Sequence, residues 1–363
     1  MAPVPGQAPP GGWLPSLGRA ATAAGRGLGA AFRVTAENRH YLAAALNGLF
    51  GDRLAEARDP TAFTMSFREG GRDVLPSELG LPARLEGAGR TLVVMIHGLM
   101  GDEVIFRETR LQSTSPSRPG LGARLERELG VTVLYLRYNS GLHISQNGRA
   151  LSSLLEELVD GCGASLDRLI LVGHSMGGLV ARSAGYYGAM DALGWVSKLS
   201  TVVLIGVPTQ GSFLEQLANL SAHVLGRIGN FYTFLSGQVI EQRSSGIRDL
   251  RFGFMADEDW QDHPMDDRLR ATRTRIPPLP GVAYHLVVGT IAKDEGSPLA
   301  LYFGDGLVGK RSAFGEALFR PADPLAAVGS YRVFPSTGHY GVLTSPLVGE
   351  HLVELVRGAM TSR

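Results

Sequence analysis

Residues 171–180 read LVGHSMGGLV, and within them Gly173-His174-Ser175-Met176-Gly177 sets a serine between two glycines. A serine hydroxyl is a weak nucleophile unless a base takes its proton and a third group orients that base. The spacing G-x-S-x-G suits a sharp strand-to-helix turn, because glycine removes the Cβ atoms that would clash where backbones crowd. Such a turn lifts the Ser175 hydroxyl above the strand's end, beside the positive end of the next helix. The competing reading is a glycine-rich loop that merely carries a serine. A phosphate loop has less support, since no G-K-[ST] follows.

The remaining groups must come from elsewhere in the chain. Acyl transfer builds negative charge on the former carbonyl oxygen, where one preorganised N–H donor is worth about 2.7–4 kcal/mol. The Met176 amide is the expected first donor. The second is expected from His97-Gly98-Leu99-Met100-Gly101, with Leu99 preferred and Met100 as the alternative. His97 precedes that turn and is expected to brace the loop by hydrogen bonding. The base should follow Ser175 in sequence, and five histidines do. His223 and His263 fall in a polar insertion, His285 in an apolar run and His351 on the last helical pattern. His339 in FPSTGHYGVLTSP is the expected base, on a loop directly after the last apolar run. For the acid, Asp305 in FGDGLVGKRSA is preferred to Asp294 in AKDEGSP. An Asp-Gly turn leading into small and apolar residues would hold a carboxylate near the core. Met100, Tyr138 and His143 are candidate substrate contacts, the latter two from YNSGLHISQNG, where Asn139 is a further one and Ser145 could equally cap a helix.

The elements that must position these groups are legible as apolar runs. TLVVMI (91–96), VTVLYL (131–136), RLILVG (168–173), TVVLIG (201–206), YHLVVG (284–289) and YRVFP (331–335) have the doubly apolar character of strands covered on both faces. Helical patterns over 146–160, 176–190 and 346–358 alternate with them, which predicts a doubly wound, mostly parallel α/β sheet. FTMSF (63–67) reads as a further short strand, paired beyond the EGG turn. Residues 209–280 break the alternation and are expected to form a cap or lid. Residues 1–75 are expected to be an N-terminal arm and helical extension, partly disordered, with the main domain over 76–363.

Composition narrows the function classes. A net charge of +1 over 363 residues argues against a nucleic-acid partner. Cys162 is the single cysteine, so neither an intrachain disulfide nor a cysteine-based metal site can form. The acidic stretch MADEDWQDHPMDD (255–267) is read as a salt-bridged part of the cap rather than a Ca²⁺ site, so no metal or cofactor is expected. The N-terminal MAPVPGQAPPGGWLPSLGRA lacks the charged start and apolar core of a secretory signal. No uninterrupted apolar run of about 18 residues occurs either. A cytoplasmic protein is expected. In residues 16–51, Arg19, Arg26 and Arg33 share one helical face, which predicts peripheral contact with an anionic membrane; the competing reading is an arm or helix packed on the core.

IHGLMGD (96–102), GHSMGG (173–178), IGVPTQGS (205–212), GDGLVG (304–309) and GHYGVL (338–343) together resemble the α/β-hydrolase fold. The likeness is to its bacterial lipase and esterase branch and to GPI inositol-deacylase-like proteins, over roughly residues 90–358. The resemblance implies Ser175 as nucleophile, Asp305 as acid and His339 as base. In GVPTQGS, Thr209-Gln210 replaces the more usual histidine-containing pair. The expected activity is hydrolysis of carboxylic esters, with a small-molecule ester or a lipid as substrate. The alternatives are a thioesterase or acyltransferase on the same triad and a non-catalytic interaction protein. No oligomeric state is implied.

Overall fold

The computed structural model describes residues 39–86, 89–109, 118–208, 244–261, 273–290, 293 and 328–361. The chain runs α1 (Arg39–Glu56), β1 (Ser66–Glu69), β2 (Arg72–Val74), α2 (Leu81–Glu86) and β3 (Thr91–Ile96). Next come α3 (Val104–Arg107), the short β4 (Glu108–Thr109) and β5 (Arg118–Pro119), α4 (Leu121–Leu129) and β6 (Thr132–Arg137). Then α5 (Ile144–Cys162), β7 (Arg168–His174), α6 (Met176–Met190) and β8 (Leu199–Ile205) alternate. α7 (Ser245–Phe252), β9 (Ala283–Gly289), β10 (Val328–Phe334), α8 (Gly341–Thr344) and α9 (Pro346–Thr361) follow.

One eight-stranded sheet has the order β10-β9-β8-β7-β3-β6-β1-β2. Neighbours from β10 to β6 are parallel, while β1 is antiparallel to β6 and β2 to β1. Successive strand side chains point to opposite faces. Leu92, Val94 and Ile96 of β3 therefore join one core with Leu151 and Leu155 of α5 and Leu179 of α6. Val93 and Met95 join the other with Leu121 and Leu125 of α4 and Leu352 and Val356 of α9. Both faces exclude water, which is why the strands lack a polar alternation. On α5, Leu151, Leu155 and Leu158 fall at spacings of four and three on the covered face, each fully buried. Burial of each is worth about 1.5–3 kcal/mol relative to exposure.

The topology places the site. From β3 the chain goes to β6 on one side, and from β7 to β8 on the other. The carboxyl ends of β3 and β7 thus flank the point where the winding reverses, which is where open α/β sheets leave a crevice. The loops leaving those two strands carry Leu99 and Ser175.

The N-terminal part differs from the sequence reading. β1 starts at Ser66 rather than Phe63, and it pairs with β2 across Gly70-Gly71, both in the left-handed region. A division at residue 75 does not mark a change in packing. β1 and β2 extend the central sheet, and Ala44, Ala45 and Leu49 of α1 are buried. The cause is local: Asn47 in α1 accepts from Phe63 N–H and donates to Thr61 O, tying the helix to the strand that follows. Of the segment 16–51, residues 39–51 belong to α1, while 16–38 lie outside the described residues. In the expected cap, residues 209–243 and 262–272 also lie outside them. The described part, including α7, rests on the loop after β6 through Gly246 N–H to Gly141 O at 3.0 Å. Among the described residues, no helix is long and apolar enough to cross a membrane.

Candidate active site

β7 ends at His174 and α6 begins at Met176, so the chain reverses at one residue. Ser175 takes φ 53°, ψ −124°, a region that non-glycine residues avoid, at a cost of about 1–3 kcal/mol. Two bonds hold it there: Ser175 N–H donates to Ile205 O at 2.8 Å, and Gly178 N–H donates to Ser175 O at 3.0 Å. The flanking glycines are steric requirements. A Cβ on Gly173 would lie 2.5 Å from Gly178 Cα, and one on Gly177 would lie 2.3 Å from Ile96 O and 2.4 Å from His97 O. Gly177 therefore seats the elbow directly against the end of β3.

The loop leaving β3 lies against the serine. A Cβ on Gly98 would stand 2.9 Å from Ser175 Cβ. Leu99 follows, then Met100 at φ 56°. Met100 N–H donates to Ser140 Oγ at 3.1 Å, which commits it elsewhere. The Leu99 and Met176 N–H groups have no hydrogen-bond acceptor among the described residues.

His97 is a brace. Its Nδ1–H donates to Gly98 O at 2.9 Å, and its Nε2 accepts from Tyr138 N–H at 3.3 Å. That pattern requires the neutral ring, and burial pushes its pKa down. Tyr138 stacks on it at 4.3 Å and donates its hydroxyl to His97 O at 2.8 Å. Tyr138 is fully buried with its hydroxyl committed, so it supports the loop from beneath rather than lining a substrate pocket. His143, expected as a substrate contact, donates Nδ1–H to Asp249 at 3.0 Å and stacks on Trp260 at 3.7 Å. It ties the loop after β6 to α7. Met100 is buried against α1.

The loop that carries His339, the expected base, follows β10. Thr290 N–H donates to Phe334 O at 3.0 Å and Thr337 N–H to Thr290 O at 2.8 Å, fixing the exit of the strand. His339, 4% exposed, comes next. Its carbonyl accepts from His174 Nε2–H at 3.1 Å, and the two rings stand 4.7 Å apart. The sequence reading passed over His174, the neighbour of the nucleophile. Burial first, and the facing His339 second, hold its pKa well below the usual range. With Nε2 donating, Nδ1 is left as a buried acceptor without a partner. His174 thus holds the His339 loop beside residue 175. Among the described residues the Ser175 hydroxyl itself has no hydrogen-bond partner. Catalytic hydrogen bonds are often open in a ligand-free enzyme.

Asp305 and Asp294 lie outside the described residues, as do His223 and His263. His285 and His351 sit in β9 and α9, bonded to Ser330 and to Glu354 respectively. In the acidic stretch, Asp257 pairs with Arg149 at 2.8 Å, and Asp259 accepts from the Met255, Ala256 and Thr274 N–H groups.

The alpha/beta hydrolase family matches residues 93–349, well over half of the chain. The chain belongs to the alpha/beta hydrolase family. The match starts inside β3 and ends inside α9, so it contains the elbow, the loop after β3 and the base loop. No curated protein matches the sequence. Solved structures similar to it include a thermophilic esterase from Thermogutta terrifontis, 16% identical, covering 75% of this chain and 91% of that one, with a TM-score of 0.39. A Pyrococcus furiosus esterase is 14% identical over 75% of this chain and 82% of its own, TM-score 0.43. A putative hydrolase from Agrobacterium vitis is 18% identical over 77% and 90%, TM-score 0.40.

Proposed function

We propose that this alpha/beta hydrolase family member cleaves carboxylic esters, of small molecules or lipids, through an acyl-enzyme on Ser175. The observation that carries the reading is the strained Ser175 elbow packed against Gly98, with the Leu99 and Met176 N–H groups beside it lacking acceptors among the described residues. Ser175 Oγ attacks the ester carbonyl carbon as its proton passes to His339. The developing oxyanion is held by the Leu99 and Met176 amides, each worth about 2.7–4 kcal/mol in such a site. The C–O bond to the alcohol then breaks, and His339 returns the proton to the departing oxygen. Water gives a proton to His339 and attacks the acyl carbon; the bond from that carbon to Ser175 Oγ then breaks, and His339 returns the proton to Oγ as the acid leaves. Asp305 orients His339 and stabilises its charged form.

The test is labelling by a fluorophosphonate probe, paired with hydrolysis of short- and long-chain p-nitrophenyl esters. Wild type is expected to label and turn over, and Ser175→Ala to do neither. Asp305→Asn is expected to lower kcat by ~10⁴, the loss seen when a triad imidazole loses its orienting carboxylate, whereas Asp294→Asn leaves it intact. Wild type that does not label at Ser175 would overturn the reading in favour of a non-catalytic interaction protein. Preferential turnover of acyl thioesters, or transfer to an added alcohol, would replace esterase with thioesterase or acyltransferase.

A further inference from the structure

The family match begins at residue 93, and α1 lies entirely before it. Yet α1 packs on the loop that supplies the second oxyanion donor. A Cβ on Gly48 would lie 2.5 Å from Met100 Cγ, 3.0 Å from Met100 N and 3.1 Å from Met100 Cα. Met100 holds a left-handed backbone directly after Leu99, and it has no room to relax toward the helix. About two turns earlier in α1, His40 Nδ1–H donates to Asp102 Oδ2 at 2.6 Å. Asp102 is 1% exposed and also accepts from Val104 N–H at 3.1 Å. Burial pushes its carboxyl up, but the His40 hydrogen bond together with the charges of His40, His97 and Arg137 outweighs this, so the carboxyl stays below the ordinary range and ionised.

The same helix grips the other walls of the loop. Asn139 Nδ2–H donates to Gly51 O at 2.8 Å, and a Cβ on Gly141 would lie 2.3 Å from Asn47 O. Ser244 Oγ–H donates to Gly48 O at 2.7 Å, and Ser245 N–H to Asp52 Oδ2 at 2.9 Å. Ser140, which holds the Met100 amide, sits in the segment that α1 clamps. The loop after β3 is thus fixed at three points. Tyr138 holds His97 from below, while α1 holds Met100 through Gly48 and Asp102 through His40.

We propose that α1 sets the oxyanion donor of this enzyme, with His40 as a positioning residue that acts on Leu99 through the buried Asp102 carboxylate. The inference rests on the reading of Leu99 as an oxyanion donor. Loss of the His40–Asp102 pair leaves a buried carboxylate short of one donor at the base of the turn. The carboxylate then draws on neighbouring N–H groups or water, and the peptide three residues upstream loses its fixed aim. Substrate contacts away from the reacting carbonyl do not involve this pair, so the effect falls on the transition state.

The test uses the full chain, with His40→Ala, His40→Gln and Gly48→Ala compared to wild type. His40→Ala is expected to lower kcat by about tenfold or more, a fraction of the 10²–10³ lost with a whole donor, with KM changed less than about threefold. Affinity for an alkyl boronic acid, whose tetrahedral serine adduct carries the oxyanion, should fall by the same factor as kcat/KM. His40→Gln, which keeps an N–H toward Asp102, should recover most of kcat. Gly48→Ala, which presses on Met100 without touching His40, should reproduce the kcat loss. It also serves as the second reporter if His40→Ala does not fold. Wild type that turns over ester while both His40→Ala and Gly48→Ala keep its kcat would overturn the positioning role alone. A change in KM without kcat, or boronate affinity unmoved while kcat falls, would do the same. Wild type without turnover or Ser175 labelling would overturn this inference together with the proposed function.

Discussion

Replacing Ser175 by glycine and, separately, by alanine isolates the energy stored in the elbow. Both variants remove the hydroxyl, and that hydroxyl has no hydrogen-bond partner among the described residues, so neither leaves a partner stranded. They differ only in the Cβ atom, which alanine keeps. At φ 53°, ψ −124° a residue with a Cβ costs about 1–3 kcal/mol, and glycine is released from most of that. Against this, the unfolded glycine chain is freer by about 0.4–1 kcal/mol, which favours the alanine variant. The difference leaves Ser175→Gly more stable than Ser175→Ala by up to about 2 kcal/mol. In a chain of this length each kcal/mol moves the thermal midpoint by about 2 °C. Guanidinium unfolding monitored by tryptophan fluorescence, with Tm measured alongside, reads the difference directly. A glycine variant less stable than the alanine one by the whole entropic term would refute the claim that the backbone at 175 is under strain. The rigid elbow would then be a consequence of the two flanking hydrogen bonds alone.

Two further predictions concern the walls of the same site. Gly177→Ala would bring a Cβ within 2.3 Å of Ile96 O and 2.4 Å of His97 O, both backbone atoms that yield only if β3 and α6 separate. Because an ångström of misplacement can cost about 10²-fold in rate, kcat/KM should fall by at least that factor, and a variant retaining wild-type turnover would contradict the packing. Stability should also fall on mild acidification. The His97 and His174 pKa values lie below the free value of 6.5, mainly through burial, so below about pH 6.5 the unfolded chain takes up protons that the folded one refuses. Each imidazole then removes up to about 1.4 kcal/mol per pH unit until its own folded pKa is reached. Denaturant unfolding of wild type and His174→Asn between pH 7 and 5 should show the shallower slope in the variant, and parallel slopes would argue against a neutral buried His174.

The legibility of this chain varied with how local the cause was. The run TLVVMI became β3 over the same residues, and α6 starts and ends where the pattern 176–190 put it. In β3 the signal is a continuous apolar run and in α6 an apolar-rich stretch that opens at the Gly173–Gly177 turn, and short-range sterics and burial enforce both without help from distant residues. The elbow at Ser175 was legible for the same reason: Gly173 and Gly177 declare the crowding there in advance. The partners of His143, Tyr138 and Met100 were not legible. Asp249 stands over a hundred residues from His143, and nothing in either neighbourhood signals the pair. Tyr138 looked like a pocket residue because it follows a strand, yet its hydroxyl finds His97 O only when β3 and β6 lie side by side.

The N-terminal helix shows the divide most sharply. Residues 39–56 contain four alanines, four leucines and two glycines, a pattern equally suited to an arm, a membrane-surface helix or a packed one. Its glycines lower helix propensity, so the local signal points away from order. Only tertiary packing explains them, since Gly48 and Gly51 are the places where Met100 and Asn139 come within contact of the helix backbone. The sequence alone determined the class of fold and the strand-to-helix turn that carries Ser175, because apolar runs and glycine spacing act through neighbours a few residues away. The tertiary structure decided which helix backs the loop after β3 and which histidine holds the loop after β10. Those choices depend on surfaces that exist only once the strands have paired and both faces of the sheet are covered.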